Sequence, residues 1–106
     1  MDSRDGLIDA TMHIGRLRIE FYLHGIGSLK DKRRIANSLK QKLRNKFNVA
    51  VAEIDTQHSH TWLNLEIITL ANEQNRVESV LNKALAMVEA ITDEEITDVQ
   101  TEILGV

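Results

Sequence analysis

There is no cysteine and no proline among the 106 residues. Without a thiol, disulfide scaffolds, thiolate metal clusters, cysteine nucleophiles and redox motifs are all excluded. Without proline, and without a Gly/Ser-rich linker, an internal repeat or a low-complexity tract, nothing marks a domain boundary. One continuous domain over residues 12–106 is expected, after an irregular lead-in at 1–11. No apolar run approaches the roughly 18–20 residues of a membrane span. The start, Met1-Asp2-Ser3-Arg4-Asp5, has neither the basic opening nor the apolar stretch of a signal peptide. A cytoplasmic protein with no membrane contact is expected. The composition, 42% apolar and 27% charged, is close to globular averages of about 45–50% and about 25%, which argues against a disordered or fibrous chain.

Catalytic signatures are missing as well. No Gly-x-Ser-x-Gly, phosphate-binding glycine loop, His-Glu-x-x-His or Gly-x-Gly-x-x-Gly occurs, and Gly25-Ile26-Gly27 before a helix is too short a glycine pattern to hold a phosphate. Carboxylates are plentiful, but none sits in the apolar context that would tune it as a general acid or base. No catalytic residue, cofactor or small-molecule substrate is assigned, and a non-enzymatic role is expected. His58 and His60, two apart, would share a face of a strand near Glu53 and Asp55. No further ligand has diagnostic spacing, so both are read as ordinary loop residues and no metal is assigned. His13 and His24 have no recognisable partner.

Periodicity supplies the elements. From Arg16 to His24, Leu17, Ile19, Phe21 and Leu23 alternate with polar residues, the pattern of a half-buried strand. Gly25 and Gly27 end it, and Ser28 with Asp31 resembles a capping pair at a helix start. Leu29, Ala36, Leu39, Leu43 and Phe47, with Ile35 at the edge, form the buried stripe of that helix. Val49–Asp55 and Trp62–Leu70 read as two strands joined by a short polar hairpin. Asn72 can cap a second helix, whose stripe is Val77, Val80, Leu81, Ala84, Leu85, Val88 and Ile91. Thr97, Val99, Thr101 and Ile103 alternate as a last strand. The order β-α-β-β-α-β predicts an α+β, ferredoxin-like split βαβ fold, with two helices on one face of a four-stranded antiparallel sheet.

The net charge of −3 conceals a segregated layout. Ser28–Asn48 holds eight basic residues against the single acid Asp31, a local charge of +7, while the rest of the chain carries −10. It is the local field that an anionic partner meets. On a helical wheel Lys30, Arg33, Arg34, Lys40 and Arg44 fall within an arc of about 120°, with Asn37 and Gln41 between them. Arg33, Asn37, Lys40 and Arg44 form an i, i+4, i+7, i+11 row, suited to phosphates whose counterions are released on neutralisation. Lys30, Arg33, Arg34, Asn37, Lys40 and Arg44 are therefore the expected RNA- or anion-binding residues. Lys32 falls inside the apolar sector and is read as a long side chain snorkelling past the end of the core.

The uncovered face of the sheet is the other candidate surface. Tyr22 and Trp62 can stack bases as in RNA-recognition sheets, but the Lys/Arg-Gly-aromatic consensus is missing and Glu20 and Glu66 would share the face. Ile67 and Ile68 adjoin, making the third strand apolar on both faces. Tyr22, Trp62, Ile68 and Leu70 are therefore the expected interface of a homodimer or larger oligomer.

The run Ser28-Leu29-Lys30-Asp31-Lys32-Arg33-Arg34, continued by Leu43-Arg44-Asn45-Lys46-Phe47-Asn48-Val49 and Val51-Ala52-Glu53-Ile54-Asp55, resembles the YlxP-like family of small bacterial proteins, over about residues 13–104. The resemblance implies a ferredoxin-like domain of unknown function, whose genes often neighbour those of transcription-termination, translation-initiation and ribosome-maturation factors. The hairpin departs from the family's Asp-Leu-Trp-Gln-Arg type segment, with His58-Ser59-His60-Thr61-Trp62 in its place. The expected function is binding of RNA or of a ribosomal or pre-ribosomal particle through the basic first helix. The alternative is a self-associating protein-interaction module that uses the open sheet face.

Overall fold

The alternation of Leu17, Ile19, Phe21 and Leu23 does become a strand, β1, but its bounds are His13–Tyr22 in this computed structural model, which describes residues 11–106. The lead-in expected at 1–11 thus lies, except for Thr11, outside the described residues. Gly15 explains why the start of β1 is hard to read: it breaks the apolar alternation, yet a Cβ there would sit 2.3 Å from Val77 Cγ1 and 2.8 Å from Leu81 Cδ1. The second helix packs directly onto this backbone, and only glycine leaves it room. Gly25, at φ +71°, turns the chain out of the strand toward the first helix.

Helix α1 spans Leu29–Lys46. Ser28 caps it, its Oγ accepting from the Asp31 N–H at 3.2 Å, with the Asp31 carboxylate in the positively polarised first turn. It ends at Phe47, whose N–H reaches the Leu43 carbonyl. β2 is only Ala50–Glu53, shorter than the expected 49–55, because Asp55 at φ 70° takes the chain out of extended geometry. β3 spans Trp62–Ala71, α2 Gln74–Ile91 and β4 Glu95–Gly105. Asn72 is not the cap of α2: Glu73 occupies that position and makes no side-chain capping bond. Nor does the stripe of α2 run to its end, for Ile91 is 41% exposed.

The sheet order is β2-β3-β1-β4, all antiparallel, with Leu17 opposite Ile67, Arg18 opposite Glu66 and Tyr22 opposite Trp62. This is the ferredoxin-like split βαβ arrangement. One face of the sheet supplies Leu17, Ile19, Phe21, Leu23, Leu63, Leu65 and Ile67 to a core that Ala36, Leu39 and Leu43 of α1 and Val77, Leu81, Ala84 and Val88 of α2 close. Each large apolar side chain so buried contributes about 1.5–3 kcal/mol. Among the described residues no layer covers the opposite face, and α1 runs beside the outer edge of β2, the shortest strand.

Candidate anion-binding groove

That geometry divides the basic residues of α1 between its two flanks. Arg33, Asn37, Lys40 and Arg44 line one groove of about 570 Å³, whose floor and far wall are Val51, Ala52, Glu53, Gln57 and His58. At 1.5 Å per residue the row from Arg33 to Arg44 is about 16 Å long. Arg34 does not join it. Its side chain is on the other flank, in a depression of about 270 Å³ shared with Lys42, Asp93 and Glu94. Lys30 is exposed and lines neither hollow. Among the described residues no carboxylate forms an ion pair with Lys30, Arg33, Arg34, Lys40 or Arg44.

Arg44 has a second task. Its Nη2 donates to the Val51 carbonyl at 2.7 Å. In an antiparallel pair, carbonyls of alternate residues point away from the partner strand, and Ile54 N–H bonds to Asn64 O across the pair. Val51, out of phase with Ile54, therefore turns its carbonyl outward, and Arg44 occupies part of an otherwise open strand edge.

Lys32 does not snorkel. It is 1% exposed, its Nζ 2.6 Å from Glu53 Oε2, and it also donates to the carbonyls of Thr56 and Ser59. Glu53 Oε2 accepts in addition from Thr56 Oγ1 at 2.6 Å. The ammonium sits in the apolar sector because three oxygens from β2 and the following loop converge there, a partner set that a helical wheel does not contain. Thr56 and Ser59 close a turn, Ser59 N–H to Thr56 O at 3.0 Å, with Gln57 and His58 at its tip. His58 thus borders the groove, whereas His60 is exposed outside it. Among the described residues no three His, Asp or Glu gather as a metal site.

On the open face the four expected interface residues do not form one patch. Trp62 and Tyr22 pair edge to face at 5.0 Å, and Tyr22 meets His24, which bonds Glu95 at 2.6 Å. Ile68 and Leu70 lie toward the other end, about 20 Å and about 26 Å from Trp62 at strand spacing. Between them is a charged cluster that sequence reasoning missed. Arg16 holds Glu66 bidentately, Nε to Oε1 at 2.7 Å and Nη2 to Oε2 at 3.2 Å, and Arg18 Nε stands 3.3 Å from Glu66 Oε2. Buried Asn64 accepts from Arg18 at 3.0 Å and donates to Glu66 at 3.2 Å and to the Ile54 carbonyl at 3.0 Å. The Arg16 hydrogen bond holds the Glu66 carboxyl below its ordinary range, against the opposing effect of burial, and the same bond raises the Arg16 guanidinium. The signal was the sheet register, which sets Arg18 opposite Glu66 with Arg16 on the diagonal.

No helix among the described residues is long and apolar enough to cross a membrane. Two solved structures share the fold: a protein described as dimeric, of unknown function and with a ferredoxin-like fold, from Bacteroides fragilis (13% identity, TM-score 0.52, 89% of this chain and 96% of that one), and a dimeric ferredoxin-like protein of unknown function from Thermobifida fusca (11%, TM-score 0.51, 94% and 96%). In sequence the chain is 29% identical over 89 residues to the uncharacterized protein YlxP of Bacillus subtilis strain 168, covering 84% of this chain and 97% of that relative. Residues 14–101 match the family of proteins of unknown function designated DUF503, and the chain belongs to that family.

Proposed function

We propose that the chain is a non-enzymatic module that holds the phosphate backbone of RNA, in a ribosomal or pre-ribosomal particle of the cytoplasm, along the groove between α1 and β2. One observation carries this: Arg33, Asn37, Lys40 and Arg44 share a single groove whose one carboxylate, Glu53, is already engaged by Lys32 and Thr56. Like charges three and four residues apart on a helix repel by a few tenths of a kcal/mol per pair. Cations without an ion-pair partner among the described residues carry that cost without contributing to the core. A polyphosphate chain along the row would offset it and give up the counterions condensed on its own phosphates. Among the described residues no Phe, Tyr or Trp lines the groove, which favours contact with phosphates over stacking of bases. Titrating salt against binding of a homopolymeric RNA tests this, with a polyglutamate of equal charge as comparison. A steep salt slope specific to RNA is expected, and equal affinity for polyglutamate would replace RNA by an acidic protein.

A second reading, self-association across the open sheet face, is favoured by a separate observation. Ile68, Leu70 and Leu104 are 45%, 59% and 52% exposed, and Leu70 and Leu104 flank Ile14 on the same cross-strand row. Such a row is a natural self-complementary contact, and the dimeric descriptions of the two structural neighbours support it. Tyr22 and Trp62, paired with each other near His24, lie outside this row.

A further inference from the structure

We infer that His58 is a ligand of the anion groove and makes its affinity for phosphate polymers rise as the pH falls; this deepens the reading of the groove just given and rests on it. The loop after β2 is held from below. Lys32, buried beneath it, donates to Thr56 O and Ser59 O, the two ends of the turn that carries His58 at its tip. Gln57, the other tip residue, is tied down by its Nε2 bond to Glu53 O at 3.3 Å. The turn is therefore a fixed wall, and His58 lines the groove opposite the α1 row while remaining exposed to an incoming ligand.

Charged groups border the groove from each element. From α1 come Lys32, Arg33, Lys40 and Arg44, from β2 Glu53, and from the loop His58. Lys32 and Glu53 neutralise each other. What remains is three cations and one imidazole, and an imidazole gains a positive charge when it takes up a proton. Protonation would add a fourth positive contact to a polymer lying along Arg33, Lys40 and Arg44. Each phosphate neutralised on a single strand steepens the log–log salt slope by about 0.7.

Polyuridylate binding to the full chain, titrated with salt at pH 5.5 and pH 8.0, tests this. The wild type should show a slope steeper by ~0.7 at pH 5.5. His58→Ala should show the shallower slope at both pH values, His58→Lys the steeper slope at both, and His60→Ala should behave as wild type. Pairing His58→Ala with unchanged pH dependence would overturn the inference. Binding that depends on Arg33 and Lys40 but not on pH would overturn it and leave the groove standing, whereas no binding at either pH would remove both.

Discussion

Lys32 of α1 and Glu53 of β2, 21 positions apart in the chain, meet at 2.6 Å with side chains 2% and 15% exposed. Two backbone carbonyls complete the ammonium's shell, so every member of the cluster is satisfied. Breaking such a pair from one side strands the other charge, at a cost of about 3–5 kcal/mol. Lys32→Met should therefore lower unfolding stability in urea by that order. Lys32→Met with Glu53→Gln should recover part of it, because no bare carboxylate is left. A single-variant loss below about 1 kcal/mol would show that the pair is not holding the loop.

Gly15 offers a test of packing instead of charge. Gly15→Ala puts a methyl 2.3 Å from Val77 Cγ1, and overpacking of this kind costs about 1–3 kcal/mol. Val77→Ala removes the nearer of the two obstructing atoms, Leu81 Cδ1 remaining at 2.8 Å, so the two changes together should destabilise by less than the sum of the singles. Strict additivity in denaturation midpoints would contradict the close approach of α2 to β1.

Acid should weaken the open-face cluster. The Glu66 carboxyl is held below the ordinary value of about 4.5 by Arg16. A depressed folded-state value contributes stability that is present above the unfolded value and lost as pH falls through the folded one. Thermal stability should hold above about pH 5 and fall on further acidification, and Glu66→Gln should fall less steeply there. Parallel acid profiles for wild type and variant would argue against this coupling.

These relationships differ in how far one dimension discloses them. The α1 boundary at Ser28, the inward faces of β1 and β3 and the order of elements along the chain follow from periodicity and capping chemistry, which are local. Lys32 was misplaced because its partners come from β2 and the loop, and a helical wheel cannot show them. The same holds for Arg34, whose separation from Arg33 is set by which flank of α1 meets β2. Glu66, Arg16, Arg18 and Asn64 look like an ordinary polar strand face until register brings them together. Asn72 had the right chemistry for a cap but stands one residue too early in the turn.

Self-association has its own variant. Leu70→Glu should shift a dimer toward monomer in sedimentation velocity at micromolar concentration, by burying an unpaired charge in the contact. Trp62→Glu, about 26 Å away along β3, should not. A wild type that stays monomeric at 100 µM would end this reading.

Arg33, Lys40 and Arg44 together make the electrostatic surface proposed for RNA. The most direct measurement is the salt dependence of polyuridylate affinity at pH 8.0 for wild type and for Arg33→Glu, Lys40→Glu, a pair chosen because neither residue packs in the core or, unlike Arg44, bonds the β2 backbone. Three contacts predict a log–log slope near −2 for wild type. In the double variant, binding should be lost at every salt concentration while the unfolding transition stays unchanged. A double variant that folds normally and binds polyuridylate as tightly as wild type, with the same slope, would contradict the account.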